Sequence, residues 1–244
     1  MVHVIQFDIT GSITYENNSM LLLEDMLQNE HEEEIGGIVV WINSGGGSFC
    51  AAQDMITMLK SAEVPVVSVI GEICASAAYY TILESNYIIA RPASLVGGLC
   101  ASLDHFDYSG LHKKIGVQRK AYSNGALKSM LSPFGICDAK KESAATDEIL
   151  NDLDMQFYEY IKANRNGVLE LEKYTDGRLI TGRMANSAGL VDGCGGIRDA
   201  YTKITEILGI SLDDLNIIKP QLESFKDQGQ IDVVSTLLDS LHIR

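Results

Sequence analysis

Three features of the sequence predict an α/β fold. Short continuous apolar runs at 38–42 (IVVWI) and 64–70 (VPVVSVI) have the composition of strands covered on both faces. Each run is followed by small, turn-forming residues: Asn43-Ser44-Gly45-Gly46-Gly47-Ser48 after the first, Gly71 and then CASAA after the second. A segment of helical character follows each turn, and the same order recurs further on, which places the turns along one edge of a sheet.

Taken in order, residues 2–9 have strand character and Gly11-Ser12 turns the chain before Ile13. Residues 19–29 form an apolar-rich helix candidate, and the acidic run 30–34 reads as its solvated end. The strand at 38–42, its glycine turn and a helix over 49–60 come next. After the strand at 64–70, which stops at Gly71, residues 74–85 open another helix. Residues 87–90 (YIIA) are a third strand, 94–100 with Gly97-Gly98 a loop, 108–114 a helix, and 117–122 a fourth strand. From 138 to 164, Ile149, Leu153, Met155, Phe157, Tyr160 and Ile161 recur near helical spacing. Ala188-Gly189-Leu190-Val191-Asp192 and a helix over 197–208 close the main body. The expected organisation is therefore one domain over 1–208 and a helical tail over 209–244. In that tail Ile231, Val234, Leu238 and Leu241 form an apolar stripe suited to intramolecular packing or a subunit contact.

Composition narrows the function. The 244 residues are 46% hydrophobic and carry a net charge of −14, a poor match for the phosphates of nucleic acid or an anionic membrane. The five cysteines show no CxxC pair or metal-ligand spacing, which implies free thiols in a reducing compartment. There is no apolar run of about 18 residues, and the opening MVHVIQFDITGS lacks a basic region followed by an apolar one. A cytoplasmic protein with no membrane anchor, no metal and no cofactor is expected.

Two strand ends can carry chemistry. The glycines of 43–48 permit positive φ and let backbone N–H groups face a ligand. That suits a tight turn or an oxyanion pocket, whereas no GxxxxGK[ST] or GxGxxG pattern supports a nucleotide loop. At the second strand end Ser76 lies between Ala75 and Ala77 where a helix begins. Taken alone it is either a cap or a nucleophile beside the Ala77 N–H.

These two loops, in this order and about 30 residues apart, resemble the signal peptide peptidase A (SppA) family of serine proteases. The family's Asn-Ser-Pro-Gly-Gly loop is matched by Asn43-Ser44-Gly45-Gly46-Gly47, and its Ala-Ser-Gly-Gly-Tyr-Tyr motif by Ala75-Ser76-Ala77-Ala78-Tyr79-Tyr80. The similarity continues through Gly97-Gly98-Leu99, Lys114-Ile115-Gly116-Val117, 122–128, Ser132-Pro133, 176–182 and 188–192, covering about residues 1–208. It implies the spiral of ββα units shared by Clp protease and crotonase, and a serine endopeptidase working through a Ser-Lys dyad and an acyl-enzyme. Ser76 is then the nucleophile, Lys128 the base, and the N–H groups of Gly46 and Ala77 the oxyanion hole. The implied partners are a peptide or unfolded-protein substrate and further copies of the chain, in a ring of four or more. A lysine base must be neutral to take the serine's proton, which apolar neighbours such as Leu127, Met130 and Leu131 would favour. The chain departs from the family pattern at Gly45 in place of proline, at Ala77-Ala78 in place of two glycines, and at Gly98 where many members have serine.

Other readings of the same fold are a Clp-type Ser-His-Asp triad using His105 with Asp104 or Asp107, and a crotonase-type acyl-CoA enzyme using Glu72. A phage head-maturation protease or a catalytically silent assembly subunit is also compatible. His3, His31, His112 and His242 have no partner pattern that suggests metal or catalysis.

Overall fold

The computed structural model describes residues 1–16, 35–135, 137–165 and 167–219. The helix candidate at 19–29, the acidic run and the tail stripe lie outside them.

The centre is a largely parallel sheet. Strands β1 (Val2–Thr10), β2 (Ile35–Ser44), β3 (Val66–Ala75), β4 (Tyr87–Ala90) and β5 (Leu95–Gly97) belong to it. So do β6 (Leu179–Thr181), β7 (Gly193–Cys194) and β8 (Leu215–Ile218). The order is β6-β5-β3-β2-β1-β8, with β4 also beside β3 and β7 beside β4. Among the described residues only the β5–β6 pair is antiparallel.

Both faces are covered, which explains the unbroken apolar runs. Along β2, Ile38, Val40 and Ile42 join the larger core and Val39 the smaller one, the two-residue alternation of a strand. The larger core is closed by α1 (Phe49–Ser61), α2 (Ala77–Ile82) and the second half of α4 (Ala139–Asn164). Between them, α3 (Ser109–Lys114) buries no residue. After α5 (Gly182–Ala188), α6 (Ile197–Leu208) covers the other face with Ala200 and Ile204. A Cβ at Gly37 would sit 3.1 Å from the Ile204 Cδ1, so glycine lets α6 lie close to β2.

Several expectations need correction. β3 does not stop at Gly71 but runs on to Ala75, so its helix begins at Ala77 rather than Cys74. The expected loop at 94–100 contains β5, and its pairing with β3 accounts for the extra strand length. Residues 117–122 form no strand: Val117, Lys120 and Tyr122 are exposed and no sheet edge lies against them. Residues 215–218, expected within a helical tail, pair with β1 from Val2 to Ile5 and extend the sheet. The helix expected at 138–164 is present, capped by Asp138 accepting from the Lys141 N–H at 3.0 Å, but it buries only Phe157 and Ile161. Ile149 and Met155 face solvent.

Candidate active site

β3 changes neighbours midway. Val67–Ile70 pair with β4, whereas Ile73–Ala75 pair with β5. On its other side Ile42 faces Ile70 but Ser44 faces Cys74, so β3 carries two extra residues opposite Asn43. Beyond this bulge the strand delivers Ser76 at the head of α2, where its N–H donates to the Gly97 carbonyl at 2.9 Å. Ser76 has φ 54° and ψ −130°, and its hydroxyl makes no capping hydrogen bond. A non-glycine residue held in that region stores strain, and a serine that is not a cap has its Oγ free for other chemistry.

Three glycine-dependent approaches surround this serine. Gly46 has φ 110°, and a Cβ there would come within 2.8 Å of both the Ala75 carbonyl and the Ser76 Cβ, and 3.2 Å from the Ala77 N. Gly98, at φ 63°, would bring a Cβ to 3.2 Å from the Ser76 N. The left-handed backbone is the physical reason that glycine suits this position, where the family often has serine. Gly97, at φ 140°, is pressed against the Arg178 carbonyl, which also accepts from the Gly98 N–H at 2.9 Å. The segment 176–182 thus straps β5 from outside, and 188–192 anchors α2 through the buried Tyr79 hydroxyl, which donates to the Leu190 carbonyl at 2.6 Å.

A cleft of about 250 Å³ opens beside Ser76, lined by Gly47, Phe49, Cys100, Leu103, Leu153 and Phe157 among others. Its aromatic wall continues inward: the Phe49 and Tyr80 ring centroids are 4.3 Å apart, and Phe157 meets Tyr80 edge-on at 5.4 Å. The Ala101 N–H donates to the Asp154 carboxylate at 2.6 Å, tying the loop after β5 to α4. Burial, then the charges of Asp154 and Asp176, push the Cys100 thiol up from its ordinary pKa.

The structure therefore brings Ser76, Gly46, Ala77 and Gly98 together. The Gly46 N–H donates to the Ser44 hydroxyl at 3.1 Å, and the Ala77 N–H belongs to the first turn of α2, where no helical carbonyl precedes it. Lys128 is not brought to them. It sits in a turn closed by its N–H donating to the Gly125 carbonyl at 3.2 Å, is exposed, and does not line the cleft. Leu127, Met130 and Leu131 are only half-buried. His105 is likewise exposed and outside the cleft lining, as are Asp104 and Asp107. Sequence reasoning missed Phe49, Leu153 and Phe157 as cleft walls, since apolar residues at helical spacing give no sign of which cavity they line. It also left Asn43 without a role.

Residues 58–211 match the model of peptidase family S49. The chain belongs to that family. It is 28% identical over 193 residues to "Putative protease MJ0651" of Methanocaldococcus jannaschii, covering 78% of this chain but 61% of that one. Among solved structures, a lysine-to-alanine mutant of the 1510-N membrane-bound stomatin-specific protease, in complex with a substrate peptide, superposes with TM-score 0.57 at 17% identity. That match covers 98% of both chains. An asparagine-to-aspartate mutant of ClpP1 from Listeria monocytogenes superposes with TM-score 0.53 at 16% identity, over 80% of this chain and 93% of that one. At these identities the two structures establish the fold, which is the Clp-like spiral implied by the sequence motifs. Among the described residues no helix is long and apolar enough to cross a membrane, and no group of His, Cys, Asp and Glu is placed to hold a metal ion.

Proposed function

We propose that this S49 chain is a serine endopeptidase in which Ser76 attacks the scissile carbonyl and Lys128 is the general base. The observation that carries the reading is the strained Ser76 backbone, which presents a hydroxyl unused for capping beside an open cleft, with Gly46 and Ala77 against it. As Ser76 Oγ bonds to the carbonyl carbon, its proton passes to the Lys128 amine. The N–H groups of Gly46 and Ala77 meet the developing oxyanion, the former turning from Ser44 through the freedom that Gly46 and Gly47 allow. The lysine then protonates the leaving amine, and water releases the acyl group from Ser76 under the same base.

This mechanism requires Lys128, which is exposed in the single chain, to approach Ser76, and we assign that approach to an assembly of copies. Phe106, Leu111, Ile115 and Tyr122 are 74%, 54%, 61% and 90% exposed, apolar side chains available for a contact. We assign these side chains to contacts between copies in a ring of four or more. The apolar cleft suits a peptide or unfolded-protein substrate, and the five free cysteines support a reducing, cytoplasmic setting.

The test is peptidase activity and fluorophosphonate labelling of the pure protein, with its sedimentation at micromolar concentration. Ser76→Ala and Lys128→Arg are both expected to be inactive, the latter because arginine stays protonated. An active Lys128→Arg together with an inactive His105→Ala moves the base to the histidine. A fully active monomer refutes the role given to neighbouring copies.

A further inference from the structure

The bulge in β3 poses a hydrogen-bonding problem that one side chain solves. Where Gly71–Ile73 leave the β2 ladder, the N–H groups of Glu72 and Ile73 have no strand partner on that side. The Asn43 Oδ1 accepts both, at 2.9 and 3.1 Å. The carbonyls are met from the opposite side: the Ser94 hydroxyl donates to the Gly71 carbonyl at 2.5 Å, and the Arg91 guanidinium to the Ile70 carbonyl at 3.3 Å. Gly71 is required within this knot, because a Cβ would lie 2.9 Å from the Trp41 ring and 3.1 Å from the Asn43 Cβ. Only after these contacts does β3 turn to β5 and carry Ser76 toward Gly46.

We propose that Asn43 is a positioning residue for Ser76: its side-chain oxygen holds the bulge that sets where β3 ends and hence where the nucleophile stands. The inference rests on the reading of Ser76 as nucleophile. Its geometric half does not, since the bulge exists whatever the serine does. Among the described residues the Asn43 side chain acts only as an acceptor, so aspartate preserves the two bonds and alanine or leucine abolishes them. A shift of about 1 Å in an attacking atom lowers a rate by up to roughly a hundredfold, so loss of both bonds is expected to slow acylation about ten- to a hundredfold. Substrate binding in the cleft, whose walls Asn43 does not line, is expected to persist.

The experiment compares the full chain with Asn43→Ala and Asn43→Asp. It measures the rate of fluorophosphonate labelling at Ser76, kcat and KM on a peptide, and amide exchange across residues 71–76. Asn43→Ala should lower the labelling rate and kcat at least tenfold with KM within twofold, and speed exchange across 71–76. Asn43→Asp should restore both. Labelling of Asn43→Ala at the parental rate, or unchanged exchange at 71–76, overturns the proposal. So does failure of Asn43→Asp to restore either readout, because an acceptor role alone would be preserved. If the parent chain itself is not labelled at Ser76, the peptidase reading fails. The exchange data then decide whether Asn43 holds the bulge.

Discussion

Adding one methyl group at Gly46 tests whether the oxyanion loop and the nucleophile are packed as closely as the structure shows. A Cβ there would stand 2.8 Å from the Ser76 Cβ and from the Ala75 carbonyl, so each must retreat about 0.6 Å to reach ordinary contact. The backbone adds its own penalty, because φ 110° is a conformation that residues with a Cβ rarely adopt. Strain of this kind costs about 1–3 kcal/mol, and a midpoint of about 2 kcal/mol lowers the melting temperature by roughly 4–8 °C in a chain of this size. Displacement of the Ser76 Oγ by a comparable distance lowers kcat by up to about a hundredfold. Gly45→Ala is the matched control. A Cβ at Gly45 meets nothing within 4 Å, and its backbone does not need a positive φ. That substitution should leave activity intact and hold or slightly raise stability, by up to about 1 kcal/mol, through a less flexible unfolded chain. The measurements are kcat/KM on a peptide substrate and thermal unfolding of both variants. Parental activity and melting temperature in Gly46→Ala, or equal damage from Gly45→Ala, would refute the close approach of this loop to Ser76.

Two further outcomes are expected. Ser76→Gly should unfold at a higher temperature than Ser76→Ala, by about 1 kcal/mol in stability, because only glycine relieves the φ of 54°. Both should be inactive, and equal melting temperatures would show that the serine backbone is unstrained. The Arg178 guanidinium, and the Arg178 backbone N–H with it, holds the Asp176 carboxyl down at about 2. A folded-state pKa below the unfolded value near 3.9 gives stability that is present above about pH 4 and lost as the pH falls toward 2. The difference in urea midpoint between the parent chain and Asp176→Asn should therefore narrow from pH 5 to pH 3, and a pH-independent difference would exclude this ion pair as its source.

Local chemistry made much of the site legible. The runs at 38–42 and 64–70 read as buried strands because side chains covered on both faces are nearly all apolar. The glycines at 46–47 and 97–98 marked places where the backbone is pressed closely or turned left-handed, and the resemblance of the motif around Ser76 to the family's pointed to the serine. What tertiary structure decided depends on residues far apart in the chain. β3 outruns Gly71 because β5 offers it a new partner, and β8 completes the sheet because β1 exposes an edge, neither of which is encoded in the period of the strand itself. Val117–Tyr122 alternates weakly but has no edge to join, so its backbone remains outside the sheet. The position of Lys128 shows the same division: its sequence motif names the residue, but proximity to Ser76 is a relation between surfaces, and the folded chain leaves that lysine in solvent. Asn43 is the converse case, a residue of the matched motif given no role by sequence, whose two hydrogen bonds arise only because β2 and β3 lie side by side.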